Sequence, residues 1–218
     1  MRPLPLLAAF VAALAMSAAD VEASFVKFGN QLREQRFSLF SSNDFDLSGE
    51  SLQVGSDGTV SLLWTKLPAG AQTARGAAWS WQVRRSVPAT DLTRKGGDDR
   101  NLSLYFVFLP AETASRMAGS DILDLLDEPA VRVLMYVWGG THKAGSVLPT
   151  PYLGERGRTI VLRPAQTGEA SEQVNLAADH LAAFGEEAAV LVGLAVSADS
   201  DDTNSGIDAS IRGLRLLP

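Results

Sequence analysis

At 218 residues, 46% of them apolar, the chain is long enough for one domain with a substantial core and too apolar to be disordered. Its net charge of −6 comes with acids and bases interspersed and no basic run, which argues against a nucleic-acid partner. Cysteine is absent, so disulfides, thiolate metal sites and cysteine nucleophiles are excluded.

Residues 1–19 read as a signal peptide. Arg2 and the free amine make a positive start, Leu4 to Met16 an apolar stretch, and Ser17-Ala18-Ala19 the small residues that a signal peptidase reads. The apolar stretch stops short of the ~18–20 residues that a membrane span requires. The expectation is an exported chain, periplasmic or secreted, whose mature part is a single domain over 20–218 with no membrane span.

Arg36 to Phe40 reads as a first strand. Ser51 to Val54 and Thr59 to Trp64 look like a hairpin around Gly55-Ser56-Asp57-Gly58, since Asp-Gly is a strong turn signal. Two strand patterns follow, flanking the loop Lys95-Gly96-Gly97-Asp98-Asp99. On the first, Trp79, Trp81 and Val83 share one face; on the second, Leu102 to Phe108 is apolar except at Ser103, as a strand buried on both faces should be. Ala111 to Glu128 is a helix candidate interrupted by Gly119. Val131 to Trp138 returns to strand, with Val131, Val133, Met135 and Val137 on one face and Arg132, Leu134, Tyr136 and Trp138 on the other. A loop runs from Gly139 to Pro151. Strand patterns over Arg158 to Leu162 and Ser171 to Leu176, a short helix Ala177 to Phe184 closed by Gly185, and strands Ala189 to Ser197 and Ile207 to Leu216 complete the chain. Closely spaced strands, with no regular alternation with long helices, predict an all-β fold: an antiparallel β-sandwich of jelly-roll, carbohydrate-binding-module-like form with one or two short helices.

Two constellations stand out as binding candidates. Asp199, Asp201, Asp202 and Asn204 put four oxygen-bearing side chains on one turn, a pattern suited to a hard cation such as calcium. It is not an EF-hand, because the obligatory Gly falls on Asn204 and the terminal Glu on Ser210; a solvated turn is the plainer alternative. Tyr136 and Trp138, with Arg132 on the same face, suit a polar ligand such as a glycan, and the uniformly apolar opposite face is then the inward side; a second layer such as the 111–128 helix covering the Tyr136 and Trp138 face is the alternative. Asp98 and Asp99 are further ligand candidates, with one of the two expected at any given site because neighbours on a strand point apart; the plainer alternative is a loop whose carboxylates accept local amide and Lys95 or Arg100 contacts. Paired carboxylates on such a fold could also be glycosidase machinery. No nucleophile elbow, dinucleotide fingerprint or P-loop is present.

Taken together, Trp79-Ser80-Trp81-Gln82-Val83, the Lys95 to Asp99 loop leading into Leu104 to Phe108, Tyr136-Val137-Trp138, Asp179 followed by Phe184-Gly185, and the Asp199 to Asn204 loop resemble the DUF3047 family of bacterial exported proteins of unknown function. The resemblance implies a β-sandwich similar to carbohydrate-binding modules and no established activity. The chain departs from the family pattern at Val174, before Asn175, and in the acidic loop, which reads Asp201-Asp202-Thr203. The leading expectation is a non-catalytic binder of an envelope glycan. A polysaccharide-cleaving enzyme using Asp98 or Asp99 with an acid of the 199–202 loop, and a structural envelope protein, are the alternatives.

Overall fold

The computed structural model describes residues 24–37 and 41–218. The signal peptide over 1–19 and residues 38–40 of the expected first strand lie outside them. In chain order the elements are β1 (Ser24–Phe25), β2 (Arg33–Arg36), β3 (Asp44–Ser48), β4 (Ser51–Asp57), β5 (Val60–Lys66), β6 (Gly76–Arg85), β7 (Arg100–Leu109), α1 (Ala111–Arg116), α2 (Ile122–Asp127), β8 (Arg132–Gly139), β9 (Val147–Thr150), β10 (Gly154–Arg163), β11 (Gly168–Val174), α3 (Leu176–Phe184), β12 (Val190–Asp199) and β13 (Gly206–Leu217).

They form two stacked sheets. One runs β11-β6-β13-β4-β3, with β1 pairing to the end of β13; the other runs β2-β5-β12-β7-β8-β10-β9. Successive strands change sheets from β4 to β7 and again from β10 to β13, which makes a jelly-roll-like sandwich of the expected all-β class. Every ladder is antiparallel except β8 with β10, which run parallel because β9 intervenes in the chain and pairs on the outer edge of β10. Among the described residues no helix is long and apolar enough to cross a membrane.

The sandwich core follows from strand alternation. Trp79, Trp81 and Val83 of β6 point inward with Leu52 and Val54 of β4 and Ala209 and Ile211 of β13, and they meet Leu102, Leu104, Phe106 and Phe108 of β7. A second cluster lies on the outer face of the seven-stranded sheet, where Val107, Val133, Met135 and Val137 are covered by Leu92 and Leu125. Both faces of β7 are therefore buried, as its near-continuous apolar run requires.

Three local expectations are corrected. The Ser51–Trp64 hairpin does not form: β4 pairs with β3 and β13 in one sheet, and β5 with β2 and β12 in the other. The turn is a corner between sheets, with Gly58 at φ +61°. The 111–128 helix breaks into α1 and α2 near Gly119, and Asp121 caps the second piece in a reciprocal box with Asp124. The 139–151 loop contains the edge strand β9. By contrast, α3 ends at Gly185 in the left-handed conformation that a C-terminal glycine signals.

Candidate functional site

Tyr136 and Trp138 do not form a surface. Both rings are buried between the sheets, and the exposure expected for this face is overturned. Trp81 and Trp138 meet edge to face at 5.4 Å between centroids, and Trp79 lies 5.9 Å from Tyr136. The Tyr136 hydroxyl donates to Asp179 at 2.6 Å and the Trp138 indole to the Gln166 carbonyl at 3.0 Å, so the polar atom of each ring is satisfied inside the fold. Burial, reinforced by Asp179, raises the Tyr136 pKa. The physical reason is the gap between the sheets, about 10 Å, which only large side chains span from both sides. Arg132, at the start of β8, pairs with Glu186 at 2.8 Å and lies 5.9 Å from the Phe184 ring, away from any site.

The opposite face of that sheet holds a cleft of about 370 Å³. Its floor comes from side chains that alternate outward: Leu62 of β5, Tyr105 and Val107 of β7, Val133 and Met135 of β8, and Ala195 of β12. Ile122 and Leu126 of α2 wall one side, and Pro151, Tyr152 and Leu153 another. The glycine-rich loop before β7 and the acidic loop after β12 meet at one end, because β7 and β12 are neighbours and Arg100 pairs with Asp199.

Arg100 organises that end. Its Nη1 donates to Asp98 at 2.9 Å and to Asp199 at 3.1 Å, its Nη2 to the Tyr105 hydroxyl at 3.0 Å, and its Nε to Ser103 at 2.8 Å. Burial works against the guanidinium charge, but Tyr105, Asp199 and Asp98 together hold its pKa above the ordinary value. Asp98 also accepts from the Tyr152 hydroxyl at 3.1 Å. Burial, followed by the charge of Asp98, pushes Tyr152 up to about 12. The sequence offers Arg100 only as a local contact of the Asp98 and Asp99 carboxylates, which it makes with Asp98, and not as the centre of a site. The available signal was its place directly after two acids at the mouth of a buried strand, where a charge must find partners.

The two neighbouring acids diverge as strand alternation requires. Asp99 turns away from Arg100 to the acidic loop, accepting from the Thr203 amide at 2.8 Å, from the Asp202 amide at 3.3 Å and from the Thr203 hydroxyl. Carboxylate oxygens of Asp99, Asp201 and Asp202 all lie within 4.8 Å of one another. Asp199 and Asn204 are not in that group: Asp199 faces Arg100, and Asn204, at φ +48°, sets its Oδ1 against Gly58. Burial first, then Asp201 and Asp99, raise the pKa of Asp202. For Asp199 burial prevails over the opposing Arg100, and with Asp201 and Asp99 adding to it the carboxyl rises to about 8.

The family model described as "Protein of unknown function (DUF3047)" matches residues 26–215. No curated protein matches the chain. Among solved structures the fold is similar to the xyloglucanase domain of NopAA, a type three effector from Sinorhizobium fredii in complex with cellobiose, at 10% identity and TM-score 0.44, covering 88% of this chain and 97% of that one. It is also similar to the family 11 xylanase from Neocallimastix patriciarum, at 13% identity and TM-score 0.36, covering 77% and 81%. At these values neither the ligands nor the chemistry of those proteins carries over.

Proposed function

This chain belongs to the DUF3047 family, and we propose that it is an exported, non-catalytic binding protein whose cleft takes an envelope glycoconjugate with an apolar portion. The observation that carries the reading is the two-part lining of the cleft. A floor of Leu62, Val107, Val133, Met135 and Ala195 suits an aliphatic or flat apolar body, and the Asp98–Arg100–Asp199 end offers donors and acceptors to hydroxyl groups. A bare glycan is a poorer fit, because the indoles that would stack on sugar rings are inside the sandwich. Export is supported by the positive start and apolar segment ending at Ser17-Ala18-Ala19.

The polysaccharide-cleaving alternative has one observation in its favour: Asp199, at about 8, carries a proton at neutral pH close to Asp98. Against it, both carboxylates are committed to the same guanidinium nitrogen. They sit at one end of the cleft rather than across it, which leaves no acid and base flanking a bound sugar link.

Alkyl glycosides test the reading directly, with the free sugar and the matching fatty acid as controls. By calorimetry the mature protein is expected to bind octyl glucoside at least tenfold more tightly than glucose or octanoate alone. Val60→Trp, which adds bulk at the cleft rim, should weaken that binding. Equal affinity for the glycoside and the fatty acid would remove the sugar from the proposal, and release of octanol from the glycoside would establish catalysis instead.

A further inference from the structure

The acidic end of the cleft carries more negative charge than its own groups neutralise. Asp98, Asp99, Asp199, Asp201 and Asp202 gather where two loops meet, and Arg100 is bound to only two of them. Among the described residues no ion pair reaches Asp99, Asp201 or Asp202. Lys95, on the same loop as Asp99, instead lies 5.4 Å from the Tyr152 ring.

A separate observation comes from Asp199. Its residue is only 6% exposed, and its Oδ1 is sealed from solvent without any hydrogen-bond donor. That carboxyl meets the carboxyl of Asp201, so unless a proton or a cation lies between them two acceptors face each other. A buried acceptor in such a position costs free energy unless a cation or a proton fills it.

The geometry points to a divalent-cation site in which Asp99, Asp201 and Asp202 supply carboxylate oxygens and the unpartnered Oδ1 of Asp199 faces inward beside them. The three ligating oxygens lie within 4.8 Å of one another, close enough for one ion to reach all of them after small side-chain adjustments to calcium–oxygen bonds of about 2.3–2.6 Å. Two of the acids are exposed, which leaves room for the waters or ligand oxygens that complete a calcium shell of six to eight. Asp99 is already held in place by the amides of Asp202 and Thr203, so the site is largely formed before the ion arrives. Bound there, calcium ties the loop before β7 to the loop after β12 and fixes one end of the cleft.

The site lies at the end of the cleft, and its test uses no cleft ligand, so it stands or falls separately from the binding reading. The mature protein is stripped with EDTA and titrated with calcium, and separately with magnesium, by calorimetry and thermal melting. Calcium is expected to bind saturably and to raise Tm by about 5–10 °C at a hundredfold excess over its Kd. Asp201→Asn should bind calcium at least tenfold more weakly while melting in EDTA at or above the wild-type temperature, because it removes one charge from a repelling group. Exposed Asp202→Asn should behave the same way and serves if the first variant misfolds. Identical melting of wild type in EDTA and in millimolar calcium, with no heat of binding, overturns the site. Undiminished calcium affinity in both variants overturns it equally.

Discussion

Asp199 ends β12 with its carboxyl between Arg100 and the acidic loop, and its titration gives the site a signature that can be measured. Its folded pKa, about 8, exceeds the ordinary value of 3.8 because burial outweighs the ion pair. Between those two values the native state holds a proton that the unfolded chain has released. Without a bound cation, stability therefore falls as pH rises from about 4 to about 8, at a slope of at most about 1.4 kcal/mol per pH unit from this group. Asp199→Asn cannot release that proton, so its urea-unfolding free energy in EDTA should show a visibly flatter dependence over the same range. Parallel wild-type and variant profiles would mean that Asp199 is ionised in the native state.

At the scale of elements, the position of Arg100 depends on how closely β7 and β8 approach. Gly139 pairs with Arg100 across a ladder irregularity. A methyl group there would stand 2.6 Å from the Arg100 Cβ and 2.9 Å from its Cα, a clash that involves backbone and cannot be relieved by a rotamer change. Gly139→Ala is expected to cost about 1–3 kcal/mol in urea unfolding, in the range of overpacking. It should also weaken calcium binding, since β7, which carries the Asp99 loop, must shift away from β8 and disturb that loop's contacts with the acidic turn. Unchanged stability would mean that the ladder end yields freely. The same element scale explains the absent hairpin: the Asp57-Gly58 turn is real, but it turns the chain from one sheet to the other, because each flanking strand finds its partners elsewhere.

Across the whole molecule, the exchange of strands between sheets makes each sheet depend on the other. β4, β6, β11 and β13 belong to one layer and β5, β7, β10 and β12 to the other, so neither is a continuous piece of chain. Trp79, Trp81 and Trp138 sit in the shared core and report on contact between the layers. Urea unfolding followed by tryptophan fluorescence and by far-ultraviolet dichroism should therefore give coincident single transitions. Separated midpoints would show that one layer persists without the other.

Period-two patterns on β6 and β8, the near-continuous apolar run of β7, turn residues between them and the Gly185 helix end made the all-β sandwich and most strand positions legible from the sequence, because these are local consequences of backbone geometry and burial. The ordered motifs from Trp79 to Asn204 likewise identified the family. Which face of β8 looks inward was not legible. Both faces are apolar enough to be buried, and only the presence of a second sheet on one side and of α2 on the other decided that Tyr136 and Trp138 fill the core while Val133 and Met135 line a cleft. The acidic turn could be read as a cluster, but its partner Asp99 lies about a hundred residues earlier in the chain. Its union with that turn, and the Arg100 bridge from Asp98 to Asp199, exist because β7 and β12 pair, and strand pairing over such a separation is a property of the folded molecule.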